Sequence, residues 1–337
     1  MKIRQRHYAR TTHHGGFSLI EFMVAMVLGI IVIAGAVSVY LASTRSLTEV
    51  DQVAGISENG QFALQLISYS AKHVGFFGGV YHEDIVKDGS LNTSITNDCT
   101  GDAAAYNTGE SLMAMTVGAD NLAYGCITDA RENTDVLVIK NVIPAPIAAD
   151  PNDSTGNTFP SGEIDVKTTY LVANSEAGML VDGADSMPSI GTGTSYALAN
   201  AWPYNVEVYY IRDSAIPTLS RMVLTWDGSG MAMQRQDLVQ GVEDMRFLFG
   251  FDTGVDGTAD AVAADPNDVG SSGWDQATSM QAYILMRAEN DDYDYTNEKT
   301  YTLGDRTVTP NDTFRRVLLH ADITLRNPRI VLRGGAS

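Results

Sequence analysis

From Phe17 to Leu41 the chain reads FSLIEFMVAMVLGIIVIAGAVSVYL, 25 residues in which Glu21 is the one acidic position and no basic residue occurs. A run that is apolar on every side has no soluble face. As a helix it extends about 37 Å, enough to cross a ~30 Å hydrocarbon core. Beyond Thr44 the pattern changes. Val53, Ile56, Gly60, Ala63, Ile67, Ala71 and Val74 recur at steps of three or four, while Glu49, Asp51, Gln52, Glu58, Gln61 and Gln65 fall mostly outside that stripe. Such a stripe is the signature of a helix packed on one side against protein. No proline interrupts the stretch, and Gly75 with Gly78-Gly79 supplies the stop. The spacing predicts one continuous helix from Phe17 to Val74, about 87 Å long.

After residue 75 the period shortens to that of strands. Leu112–Val117, Asp135–Lys140, Thr169–Ala173, Val206–Arg212, Leu219–Trp226, Val242–Phe251, Met280–Arg287 and Arg316–Arg326 are rich in β-branched and aromatic residues. Polar stretches at 87–110, 149–163, 182–195, 252–273 and 289–313 separate them and read as surface loops. Ala-Ala-Asp-Pro-Asn-Asp occurs twice, at 148–153 and 263–268, and is turn chemistry, not evidence of a duplicated domain. The fold class is α+β: a long N-terminal helix, its lower half transmembrane, against an antiparallel β-rich domain.

Charge sharpens this picture. The chain carries a formal net charge of −19, yet residues 1–16 hold Lys2, Arg4, Arg6 and Arg10 and no acid. Basic residues ahead of an apolar span stay on the cytoplasmic side, so the remainder is exported. So acidic an exported domain argues against binding nucleic acid through its phosphates. One alternative is an ordinary secretory signal with its cleavage site at Ala34-Gly35-Ala36 or Ser38-Val39-Tyr40-Leu41-Ala42.

The segment Gly15-Gly16-Phe17-Ser18-Leu19-Ile20-Glu21 decides otherwise. It resembles the class III signal of type IV pilins and pseudopilins. That resemblance implies cleavage by a prepilin peptidase after Gly16, methylation of the new amine on Phe17, and retention of the apolar helix. It also implies that Glu21 pairs with the terminal amine of a neighbouring subunit. Without the resemblance, Glu21 one turn into the helix is eased by the helix dipole and by snorkelling to the headgroups. The boundaries that follow are a cleaved leader at 1–16, a transmembrane stretch at 17–41, an amphipathic continuation at 42–74 and a globular domain at 75–337.

Towards the C-terminus, Asp237-Leu-Val-Gln-Gly-Val-Glu-Asp-Met-Arg-Phe247, Phe249-Gly-Phe-Asp252, Arg315-Arg316-Val317 and Leu325-Arg326-Asn327 resemble PilW-like minor pilins. With Trp274 ahead of Met280–Met286, the layout is also similar to J-type pseudopilins of type II secretion. The PilW resemblance implies a structural subunit that primes type IV pilus assembly in a tip-proximal complex and supports adhesion and twitching motility. Its implied partners are the prepilin peptidase, other minor pilins, the major pilin and a tip adhesin. Its implied location is the inner membrane with the C-terminal domain periplasmic, then the pilus surface. From another class, a single-pass anchored ectodomain that binds a ligand or calcium without polymerising remains an alternative.

Few residues suggest chemistry. Cys99 and Cys126 lie in the exported domain, where oxidation is available, and a bridge between them closes a loop of about 28 residues. Asp252, Asp256 and Asp260 occupy positions 1, 5 and 9 of a calcium-loop pattern with Gly257 at position 6. Gly254 and Ala263 replace two other ligands, which leaves a weak calcium site or a solvated acidic turn. The arginines Arg315, Arg316, Arg326, Arg329 and Arg333 stand opposite in sign to the acidic loops and are candidates to pair with them. No nucleophile elbow, zinc-protease, phosphate-loop or dinucleotide motif occurs. His73, His82 and His320 have no sequence reason to converge, so the expectation is a protein without enzymatic activity and without a required cofactor.

Overall fold

The computed structural model describes residues 16–89, 91, 95–150, 152–153, 156–254, 256, 258–263, 265–269 and 273–327. The chain divides into two compact units that meet between Gln52 and Val53, inside a single helix, α1 (Leu19–Lys72). In the first unit every large apolar side chain from Phe17 to Val50 is about half exposed or more. None of the 18-residue window apolar enough to cross a membrane is buried by protein.

In the second unit the upper part of α1 is striped. Ile56, Gly60, Ala63, Leu64, Ile67, Ser70 and Ala71 are buried, whereas Val53 is 37% exposed and lies off the stripe that the spacing assigned it. The helix ends at Lys72, two residues before the expected Val74. Gly75 and Gly78 then take φ of +67° and +68°, conformations that side chains resist.

Fourteen strands follow: β1 (Ile85–Lys87), β2 (Leu112–Thr116), β3 (Asp135–Val142), β4 (Thr169–Ala173), β5 (Gly178–Asp182), β6 (Asn200–Arg212), β7 (Thr218–Trp226), β8 (Met231–Gln240), β9 (Val242–Phe251), β10 (Ala261–Ala263), β11 (Ala277–Arg287), β12 (Tyr301–Leu303), β13 (Arg306–Val308) and β14 (Arg316–Thr324). All eight expected strands are present, with ends shifted by a few residues. Six others went unseen, because β5 opens on glycine, β8 is dominated by polar residues, and the rest span three residues each. The 289–313 stretch is therefore more than a loop, since β12 and β13 pair within it.

The large sheet runs β1-β5-β4-β6-β3-β2, with β7 on β6 and β8 on β7. The small sheet runs β10-β9-β11-β14. All pairings between these strands are antiparallel except β1–β5. β6 forks the large sheet. Ala201–Pro203 pair with β4, and Glu207–Arg212 pair with β7 farther along the strand.

Strand alternation divides the large sheet between two cores. Leu137, Ile139, Tyr209 and Ile211 face the core that takes in the helix stripe together with Met245, Phe247, Phe249, Met280 and Ile284 of the small sheet. Val136, Val138, Val206, Val208 and Tyr210 face the second core, roofed by Phe77, Val80, Ala103, Ala105 and Ile127. A third cluster, with Tyr170, Val172, Val181 and Ile190, belongs to the lobe beyond the fork.

Candidate functional site

Gly16 and Phe17 are exposed, Phe17 at 90%, and precede the first helical residue. The backbone N–H of Ser18 donates to Glu21 Oε2 at 2.9 Å, while Glu21 N–H donates to Ser18 Oγ at 3.2 Å. This is a reciprocal capping box, which satisfies two donors that a helix start otherwise leaves open. The pattern Ser-x-x-Glu was visible in the sequence and passed unused. It holds the Glu21 carboxylate at the helix entrance, against the backbone of Ser18. Of the expected leader, 1–16, residues 1–15 lie outside the described residues.

In the second unit two features fit α1 to the sheets. At Gly60 an added Cβ would stand 2.5 Å from Leu319 and 2.7 Å from Met286, so only glycine permits this approach. At Ser70, a turn before the helix ends, Oγ donates to Glu207 Oε2 at 2.6 Å. The Tyr209 hydroxyl lies 2.9 Å from Ser70 Oγ and donates to the same carboxylate oxygen at 3.2 Å. Arg221 on β7 pairs with the other oxygen of Glu207. Burial pushes the Tyr209 phenol up to about 12, so it remains a donor. This cluster forms part of a cleft of about 390 Å³ also lined by Leu66, Tyr69, His73, Ile143 and Asn205. Glu207 shares the helix-facing side of β6 with Tyr209 and Ile211. An acid at that alternation position was the signal available in the sequence.

The two sheets are joined by ion pairs. Arg246 on β9 donates to Asp135 Oδ1 at 2.9 Å and Thr116 Oγ1 at 2.8 Å, and grips Asp305 with two bonds of 3.0 Å. Asp135 also accepts the Phe247 N–H at 2.7 Å. Arg306 pairs with Asp244, whose carboxyl burial pushes up to about 7. Arg315 and Arg316 find partners within this chain, Arg315 with Asp292 and Arg316 with Asp312 and Glu243. Arg326 is exposed, and Arg329 and Arg333 lie outside the described residues.

Cys99 and Cys126 are disulfide-bonded. The bridged segment lies over a buried lysine: Lys140 Nζ donates to the carbonyls of Asp102 and Asn107, each at 2.6 Å. Burial lowers Lys140 to about 7 and raises neighbouring Glu110 to about 7.

Asp252, Asp256 and Asp260 make loop-internal bonds. Asp252 Oδ1 accepts Asp256 N–H at 3.1 Å, Asp256 Oδ1 accepts Thr258 N–H at 2.8 Å, and Asp260 Oδ2 accepts Gly254 N–H at 2.8 Å. Among the described residues no three His, Cys, Asp or Glu side chains are arranged to hold a metal ion; Gly257 lies outside the described residues. The histidines stand apart in their contacts. His73 Nδ1 lies 2.8 Å from the Tyr69 carbonyl, His82 faces Asp275 at 3.8 Å, and His320 stacks on Tyr283.

Comparison with known proteins places both ends of the chain. Residues 12–37 match the prokaryotic N-terminal methylation motif, and residues 208–327 match the family described as Type IV Pilus-assembly protein W. The second match contains the whole small sheet and Arg221, and begins one residue after Glu207. A solved type IV-like pilin from Thermus thermophilus is 9% identical, with a TM-score of 0.35, covering 80% of this chain and 97% of that one; the assignment does not rest on it. No curated protein matches. The motif implies processing by a prepilin peptidase and pilin partners, its apolar helix gives the chain a membrane anchor, and the pilin family is structural. In its methylation motif and its PilW region this chain is similar, near both ends, to PilW-like pilins.

Proposed function

We propose that this subunit acts by assembly: it primes type IV pilus formation within a tip-proximal complex of minor pilins and so supports adhesion and twitching motility. In this reading the leader, residues 1–16, is removed and Phe17 is methylated. Residues 17–41 hold the subunit in the inner membrane, residues 42–74 continue the helix, and the domain at 75–337 faces the periplasm. On assembly the subunit leaves the bilayer for the pilus and meets other minor pilins, the major pilin and a tip adhesin. No cofactor takes part.

The observation that carries the reading is the start of α1. A methylation motif is followed by a capped Glu21 and then by an apolar surface that none of the described residues buries. A carboxylate inside such a span costs about 3 kcal/mol at the membrane centre, so its retention calls for a partner or a role at the interface. Charge pairing with the amine of an incoming subunit supplies one.

The test is the mass of the mature N-terminus from membrane-extracted protein. The expected species begins at Phe17 and carries one methyl group. A chain that retains residues 1–16, or begins beyond Leu41, overturns the proposal.

A further inference from the structure

Among the described residues, the buried side chains that seat the upper part of α1 make directionless contacts with one exception. Ile56, Ala63, Leu64, Ile67 and Ala71 present aliphatic surface to aliphatic and aromatic neighbours. A roll or slide of an ångström or two among such contacts exchanges one dispersion partner for another at small cost. Gly60 fixes how closely the helix approaches β11 and β14, but a surface without a Cβ says nothing about rotation. Ser70 differs. It is the one buried polar side chain of the helix among the described residues. Its hydroxyl bonds to a carboxylate that is itself 6% exposed, and Arg221 balances that charge from the next strand. Turning the helix would strip Glu207 and Tyr209 of a partner in a buried place, where an unmet polar group costs about 1–3 kcal/mol.

We infer that Ser70, Glu207 and Arg221 form a rotational lock that sets which face of α1 the subunit presents to its neighbours. The face so presented carries Phe62 and Tyr69, 51% and 63% exposed and two turns apart on one side of the helix. Polar contacts inside an otherwise apolar seam set register elsewhere in helical assemblies. Here the lock is a positioning device: it touches no partner and acts through the orientation of the helix. The inference rests on the assembly reading above, because an exposed helix face has consequences only if another subunit meets it.

The experiment uses the full chain in membrane vesicles with nitroxide labels at Phe62→Cys and His320→Cys, both exposed positions on helix and sheet. The native cysteines are bonded to each other and do not compete. The parent is expected to give one narrow distance. Ser70→Ala is expected to broaden it and Ser70→Thr to restore it. Glu207→Gln, which keeps an acceptor for Ser70 but loses the Arg221 pair, is expected to broaden it less. In cells, incorporation into pili is expected to fall several-fold for Ser70→Ala and to recover for Ser70→Thr. An unchanged narrow distance in both Ser70→Ala and Glu207→Gln overturns the lock. If Ser70→Ala fails to fold, the Glu207→Gln distance decides alone. If the parent never enters pili, the assembly reading fails, and the distance measurement still judges the lock by itself.

Discussion

The two halves of α1 are built from one continuous helix and solve opposite problems. Below Gln52, isoleucines, valines and leucines cover all sides and stand exposed, and Gly29 and Gly35 have open space where a Cβ would be. Above Val53 the apolar residues narrow to a stripe, the glycine is pressed against Leu319 and Met286, and a serine reaches a buried acid. The same backbone thus carries one surface left open and another already completed by its own sheets. Helix propensity cannot tell the two apart. The width of the apolar arc can.

The comparison is most severely tested at its lower end. Glu21→Ala removes both charge and cap, while Glu21→Gln keeps a side chain able to complete the capping box. If charge pairing drives docking, both variants lose incorporation tenfold or more in a pull-down of sheared pili, with membrane insertion and cleavage unchanged. Normal incorporation of Glu21→Gln would reduce Glu21 to a helix cap.

At the upper end, replacing Cys99 and Cys126 by serine removes the closure of a loop of about 28 residues. The loss expected from loop entropy is about 3.5 kcal/mol, read as a fall in denaturation midpoint. Overpacking comes next. Gly60→Leu should destabilise the folded domain by about 1–3 kcal/mol, whereas Gly29→Leu leaves its melting temperature unchanged. Equal effects would mean that the lower half is not free of protein contacts.

The pH profile follows in size. Glu110, raised to about 7 by burial, binds protons more tightly folded than unfolded, so its contribution to stability falls as pH rises from about 4.5 to 7. Lys140, lowered to about 7, is deprotonated earlier in the folded state, so its contribution rises from about pH 7 to 10. The melting temperature therefore passes through a shallow minimum near neutrality. Glu110→Gln flattens the acid limb and Lys140→Met the alkaline one, which thermal scans across pH 5–9 would show. The smallest effect is expected from calcium. Asp252, Asp256 and Asp260 already serve the N–H groups of their own loop, so millimolar calcium should shift the melting temperature by about a degree or less. A larger rise would restore the loop as a metal site.

Much of this was legible before the fold was known, where a single period governs a segment. The helix, its change of character and eight of the strands follow from spacing alone, as with Val206, Val208 and Tyr210 alternating against Glu207, Tyr209 and Ile211. Three-residue strands such as β10 and β12 carry too little pattern to register. β8, with Gln234, Arg235, Gln236 and Asp237 in succession, reads as loop because its exposed residues need not be apolar. At the site, Gly16, Phe17 and Glu21 were identified from a local motif. The Ser70–Glu207–Arg221 cluster was not, because its members come together only when a helix and two strands 137 and 14 positions apart are packed.

The fork in β6 has a consequence of a different kind. Beyond Pro203 the strand serves the helix-bearing core, and before it the strand hands over to β4 and a lobe with its own apolar cluster. That lobe is tied to the large sheet through β6 and through Leu171, Ala173 and Leu180, which enter the second core, while no described residue between 143 and 199 enters the core that takes in the helix stripe. Under the assembly proposal, change confined to residues 143–199 would alter what the lobe displays without touching the residues that seat the helix.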